Sequence, residues 1–163
     1  MLEATRLFCY GKIHRARVTD ANLNYIGSIT IDPILLRAAH IFPYTQVDVV
    51  NINNGQRLQT YAIEGVEGSG QICLNGAAAH HFSPDDLCII MGYEQVPLSL
   101  LPNKIHRAVL VDAALENKIC SIRELKVPAS IDQIGNNDQS SQIFTTDCTQ
   151  DNTQDHTPDH TIN

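Results

Sequence analysis

No stretch of this 163-residue chain approaches the ~20 consecutive apolar residues that cross a bilayer. The opening MLEATRLFCY has no long apolar segment followed by the small residues of a cleavage site. These two absences predict a cytoplasmic protein without a membrane partner. Lys and Arg are missing from residues 128–163, which hold six Asp, whereas residues 1–127 carry all 11 basic residues against 12 acidic ones. A near-neutral body with an acidic tail offers no electrostatic footprint for nucleic acid or anionic lipid. The five cysteines, Cys9, Cys73, Cys88, Cys120 and Cys148, contain no C-x-x-C pair. They read as reduced thiols and mostly as small core residues, not as disulfides or zinc ligands. Nor is there a nucleotide-binding loop: GVEGSGQ is followed by no Lys-Ser or Lys-Thr, and no G-x-G-x-x-G occurs, so this stretch reads as a turn.

What is present is a series of short β-branched or alternating runs. KIHRARVTD, GSITI, QVDVVNI, QRLQTYAI, GQICLNG, LCIIMGYEQV and HRAVLVD are separated by Gly, Asn, Pro and Asp. With 43% apolar residues the length suits one domain, and many short strands in one domain predict a mainly-β barrel or sandwich. Asn53-Asn54-Gly55 between two runs predicts a tight hairpin. Asp32 is placed to cap a short helix with Pro33 at its first position and Ile34, Leu35, Ala38 and Ala39 on its apolar face. A second short helix is expected through GAAAHHF, ending before Pro84.

From about residue 128 the periodicity is lost and Asp, Asn, Gln, Thr and Ser take over. Such a segment buries too little apolar surface to offset its ordering entropy, so 128–163 reads as a disordered, low-complexity acidic tail. TQDNTQDHTPDHT within it is a faint repeat with His156 and His160; metal capture is an alternative there to a solvated tail, and composition favours the tail.

LNYIGSIT, residues 23–30, sets Ser28 directly after Gly27. The dipeptide recurs at Gly68-Ser69, where a turn explains it, so alone it proves nothing. The chemistry open to it is nevertheless specific. A serine hydroxyl attacking the preceding carbonyl turns the amide into an ester; β-elimination and loss of ammonia then leave a pyruvoyl ketone on the new N-terminus. Glycine suits the attacked carbonyl because it has no Cβ to block the approach.

GKIHRARVT, YIGSITID, VDVVNINNGQRLQTYAI, GSGQICLNGAAA and DDLCIIMGYEQVP follow one another between about Lys12 and Asp112. In these blocks the sequence resembles the pyruvoyl-dependent aspartate 1-decarboxylases, which make β-alanine for pantothenate. The resemblance implies a double-psi β-barrel over residues 1–127, with self-cleavage between Gly27 and Ser28 into a β chain of 1–27 and an α chain of 28–163. It also implies a homotetramer with sites at subunit boundaries, and a covalent pyruvoyl cofactor made from Ser28, with no pyridoxal phosphate and no metal. Maturation is either spontaneous or helped by an accessory protein. The tail is longer than the family leads one to expect.

By the same resemblance, Ser28 becomes the pyruvoyl group that forms a Schiff base with L-aspartate, Tyr61 is the proton donor and Tyr25 lines the site. Lys12, Arg57, Thr60, Gly76, Ala77 and Ala78 bind substrate. Gly27, Ser28, Thr60, Asn75 and His14 serve maturation. The residue types fit the chemistry: a dicarboxylate needs positive charge, which the planar fork of Arg57 and the point charge of Lys12 supply, and protonation at carbon needs a positioned acid. One tension is visible, since adjacent strand residues point to opposite faces and Thr60 and Tyr61 are both assigned to one site.

Each residue also has a plainer reading. Arg57 beside a hairpin suits a surface charge, Tyr61 a core aromatic, Lys12 a solvated strand residue and His14 a hydrogen-bonded structural histidine. His80-His81 suits a solvated helix end. Two alternatives for the whole chain stay open: a non-enzymatic double-psi barrel binding module that never cleaves itself, and the same scaffold acting on another amino acid such as glutamate, since one methylene is worth only ~1–3 kcal/mol.

Overall fold

The computed structural model describes residues 3–135 and the backbone of 142–145. Its ten strands are β1 (Thr5–Arg17), β2 (Asp20–Asn22), β3 (Ile29–Ile31), β4 (Gln46–Asn51), β5 (Arg57–Glu64), β6 (Ile72–Asn75), β7 (Leu87–Pro97), β8 (Ile105–Asp112), β9 (Lys118–Lys126) and β10 (Gln142–Thr145). They form one sheet in the order β10-β9-β8-β1-β7-β4-β5-β3-β6-β2. The sheet closes through Val18 and Thr19, between β1 and β2: the Val18 N–H donates to the Asp86 carbonyl beside β7, and the Thr19 N–H to the Ile72 carbonyl of β6, both at 2.8 Å. The expected mainly-β barrel is what forms. Alternation along the strands turns Ile13, Val47, Val49, Ala62, Leu74, Ile90 and Val109 into the core, all fully buried. Cys88 is among them, and burial pushes its thiol up to about 12, so it behaves as an inert small hydrophobe.

The expected hairpin joins β4 to β5. Gly55 has φ 76, and the Asn51 side chain accepts the Asn53 N–H at 2.9 Å. Asn51 does more than turn the chain. Its Nδ2 donates to the His81 carbonyl at 3.0 Å and to Asp86 at 2.7 Å, which ties the hairpin to the end of the 3-10 helix Gly76–His81. That helix occupies the expected GAAAHH segment.

The helix α1 (Pro33–Ala39) begins as its cap predicts, with Asp32 accepting the Ile34 N–H at 2.8 Å. The same carboxylate also accepts the N–H groups of Gly68, at 3.1 Å, and Gly70, at 2.8 Å. The GVEGSGQ amides are thus filled from within the chain, which is why this glycine-rich turn is no phosphate cradle. Asp32 is 2% exposed and follows β3 directly, so it anchors the strand entered from Ser28. Asp32→Ala is expected to cost at least about 3 kcal/mol, because charge-assisted hydrogen bonds contribute roughly 1.5–3 kcal/mol each. The check is a lower denaturant midpoint at unchanged m-value.

β9 and β10 fall outside the sequence expectation. β9 is a regular strand antiparallel to β8. β10 lies inside the range read as disordered, and for its four residues that reading is corrected: Gln142–Thr145 pair antiparallel with Glu124 to Ser121. The physical reason is the open edge of β9, which offers unpaired backbone groups to the one β-prone run of the tail, QIFT. His156, His160 and Cys148 lie outside the described residues, as does most of the tail.

Candidate active site

β3 lies between β5 and β6, with Ile29 opposite Ala62 in parallel register on one side and opposite Leu74 in antiparallel register on the other. The chain therefore reaches β3 along the edge of β5, next to Thr60 and Tyr61. Immediately before β3 two consecutive residues adopt left-handed backbone, Gly27 with φ 49 and Ser28 with φ 74. For a residue with a Cβ this conformation costs about 1–2 kcal/mol. Ser28 is only 5% exposed, and its Oγ is buried without a hydrogen-bond partner. A buried hydroxyl without a partner costs about a further 1–3 kcal/mol. The protein thus holds one serine in a conformation and an environment that both raise its energy.

The next segment fixes the position of that serine. The Asn75 N–H donates to the Ser28 carbonyl at 2.9 Å. The Asn75 side chain, 2% exposed, donates from Nδ2 to Thr30 Oγ1 at 2.8 Å and accepts from Cys73 Sγ at 3.2 Å. Gly76 has φ 58, and a Cβ there would stand 3.4 Å from both the Gly27 nitrogen and the Tyr25 carbonyl oxygen, so glycine is needed for the close approach. The Tyr25 carbonyl in turn accepts the Gly27 N–H at 2.9 Å.

A cavity of about 270 Å³ opens at this point, lined by Gly27, Ser28, Thr60, Asn75, Ala77 and Ala78. Six residues singled out from the sequence are thereby brought together. Lys12, His14, Tyr25, Arg57, Tyr61 and Gly76 do not line it. Tyr61 is nevertheless close, since its hydroxyl lies 3.6 Å from where a Cβ on Gly27 would be. β5 runs unbroken through Glu64, so Thr60 and Tyr61 do point to opposite faces. Both reach the Gly27–Ser28 step because it arrives at the strand's edge, with Thr60 on the cavity side and the Tyr61 hydroxyl beside Gly27. At 42% exposure Tyr61 is not a core aromatic. Tyr25 is 54% exposed and meets the site through its backbone.

The remaining basic residues share a face. In β1, Lys12 and His14 alternate with the buried Ile13, and the register carries Lys12 across Met91 to Asp48 and Gln59, and His14 across Ile89 to Val50 and Arg57. Lys12, His14, Arg57 and Tyr61 therefore project from the outer side of the barrel. His14 Nδ1 is buried without a partner, unlike the satisfied structural histidine that a plainer reading supposes. Burial first, and then the positive charges of Lys12, Arg15 and Arg123, hold its imidazole below the usual 6.5. The folded state thus binds this proton less readily than the unfolded chain, and stability rises with pH between the folded value and 6.5. Acidification through that window is expected to destabilise the parent, and His14→Gln to flatten this part of the profile of unfolding midpoint against pH.

Three further lining residues were not anticipated: Leu58, Gln59 and His81. Leu58 is legible in hindsight, since it is two residues from Thr60 and shares its face. His81 reads from sequence as a solvated helix end, yet the Asn51 link turns that end of the helix to the cavity rim. Among the described residues no three His, Cys, Asp or Glu side chains are gathered as a metal site, and no helix is long and apolar enough to cross a membrane.

Comparison with known proteins gives the family. The profile described as aspartate decarboxylase matches residues 4–120. The aspartate 1-decarboxylase of Clostridium kluyveri is 50% identical over 113 residues, covering 69% of this chain and 87% of its own. That of Neisseria meningitidis is 49% identical over 121 residues, or 74% and 94%. That of Dehalococcoides mccartyi is 52% identical over 112 residues, or 69% and 89%.

Proposed function

The chain belongs to the aspartate decarboxylase family and is an enzyme of that activity, and from that premise we propose that it cleaves itself between Gly27 and Ser28 and then converts L-aspartate to β-alanine and CO₂ for pantothenate synthesis. The observation that carries this reading is Ser28 itself, with left-handed backbone, a buried side chain and an unpartnered Oγ. Strain and a missing hydrogen bond both raise the energy of the intact serine, and loss of that residue's hydroxyl and amide relieves both. The pyruvoyl group made from Ser28 supplies a carbonyl that accepts electrons from the breaking bond to the α-carboxylate.

The other residues take roles suited to their places. Thr60, in the cavity with Gly27, polarises the Gly27 carbonyl during maturation, and the Asn75 N–H holds the Ser28 carbonyl in place. Ala77 and Ala78 present small side chains, which leave room for a four-carbon substrate. Arg57 grips a carboxylate in bidentate fashion while Lys12 adds charge nearby. Tyr61 delivers a proton to carbon after CO₂ departs. Since Lys12 and Arg57 stand on the outer face and do not line the Ser28 cavity, a homotetramer with the site at a subunit boundary is the arrangement that joins the two sets. Tyr25, Gly76 and His14 shape the surroundings of the scissile step.

The test is the mass of the denatured protein as purified. Two chains are expected, 1–27 and 28–163, the larger lighter by one ammonia than simple hydrolysis would leave it. A single intact chain, active or not, overturns the reading.

A further inference from the structure

The outer face that carries Lys12, His14, Arg57 and Tyr61 holds one acidic residue among them. Asp48 sits in β4 directly opposite Met91, and Met91 directly opposite Lys12, so the three share one cross-strand row. On its other side Asp48 faces Gln59, two residues from Arg57 and two from Tyr61 along β5. Diagonal neighbours of this kind lie about 7–8 Å apart, within reach of long side chains. Asp48 is half-buried, and its Oδ1 is buried with no hydrogen-bond partner. From this juxtaposition we propose that Asp48 is a specificity-determining residue: a built-in carboxylate that competes with the substrate's carboxylate for Lys12 and Arg57, and so limits how tightly a dicarboxylate is held.

The proposal rests on the reading that Lys12 and Arg57 receive a substrate carboxylate. An acid placed only for stability would be expected to use its buried oxygen in a hydrogen bond, as Asp32 does three times over. Asp48 instead leaves one oxygen unused on the face that carries Lys12 and Arg57, the position of a counter-charge. Burial raises the Cys9 thiol and the Tyr93 hydroxyl, and Asp48 adds to both, opposed by Lys12 at the first and by Arg57 at the second. A carboxylate there opposes an incoming anion and favours release of β-alanine, whose own carboxylate leaves the same cations.

Asp48→Asn, nearly isosteric and uncharged, is expected to lower the KM for L-aspartate roughly two- to fivefold, the scale of a partly exposed charge pair, with a smaller change in kcat. Competitive inhibition by succinate, a dicarboxylate lacking the amine, tightens by a similar factor, and both effects shrink in high salt. Asp48→Glu keeps the charge and keeps the parent KM within twofold. An unchanged or raised KM in Asp48→Asn overturns the proposal. So does a lower melting temperature, which would show that Asp48 makes a bond the fold depends on. Succinate titration of an uncleaved Ser28→Ala background separates the role of Arg57 from that of Asp48. If Arg57→Ala leaves succinate binding untouched there, the substrate reading has failed; if Arg57→Ala abolishes binding and Asp48→Asn fails to strengthen it, only the role of Asp48 has failed.

Discussion

Ser28→Ala is expected to give one intact 163-residue chain and no measurable release of CO₂ from L-aspartate. The substitution removes the only atom that can attack the Gly27 carbonyl from the following residue, so cleavage and the electron-accepting group disappear together. Misfolding is not the cause to expect. Ser28 Oγ makes no hydrogen bond, and alanine tolerates φ 74 no worse than serine does, so the variant forfeits no interaction and sheds an unsatisfied hydroxyl. The melting temperature should therefore match or exceed that of an uncleaved parent. Intact mass and a radiometric CO₂ assay on the same preparation make the check; a cleaved chain or residual turnover would remove Ser28 from the reaction.

Tyr61→Phe separates what Ser28→Ala joins. The ring stays, and the packing of a 42% exposed side chain changes little. Cleavage should proceed, since Thr60 and Asn75 still surround the scissile step, and the denatured protein should show both chains. Turnover should fall by about 10²–10⁴-fold, the usual contribution of a positioned general acid. The loss belongs in kcat more than in KM, because the proton is needed after CO₂ has left and not for binding. Parent-like kcat in a fully cleaved Tyr61→Phe preparation would strip the hydroxyl of its role. An uncleaved variant would reassign it to maturation, which its 3.6 Å approach to the Gly27 Cβ position makes the natural alternative.

How much of this is legible in the sequence depends on whether the signal is local. The hairpin at Asn53-Asn54-Gly55 and the cap at Asp32 are dictated by a few neighbouring residues, and both form where their turn and capping chemistry puts them. The gathering of Gly27, Ser28, Thr60, Asn75, Ala77 and Ala78 is not local: it needs β3 inserted between β5 and β6, a parallel pairing that no short window encodes. Only the family blocks, taken in order, pointed to it. Thr60 and Tyr61 show the limit of strand alternation as a guide. The rule that sends them to opposite faces holds, but the Gly27–Ser28 step comes to the edge of the strand, where both faces are within reach. Nothing in VDVV distinguishes Asp48 from a solvated strand residue; its row with Lys12 exists only once three strands are side by side. β10 is not legible in the sequence because a β-prone run of only four residues forms a strand only where a neighbouring edge stands open.

The position of β1 has a consequence for the life history of the molecule. Residues 5–17 are not a peripheral strap: they run through the middle of the sheet, hydrogen-bonded to β7 on one flank and β8 on the other. A break after residue 27 thus leaves a short peptide woven into a barrel that it did not assemble alone. If the chain is cut there, folding must come first and scission second, because the two pieces, once parted by a denaturant, face a bimolecular search in place of a unimolecular collapse. An enzyme cut in that way would be put together once, and its durability would be set by how rarely the barrel opens.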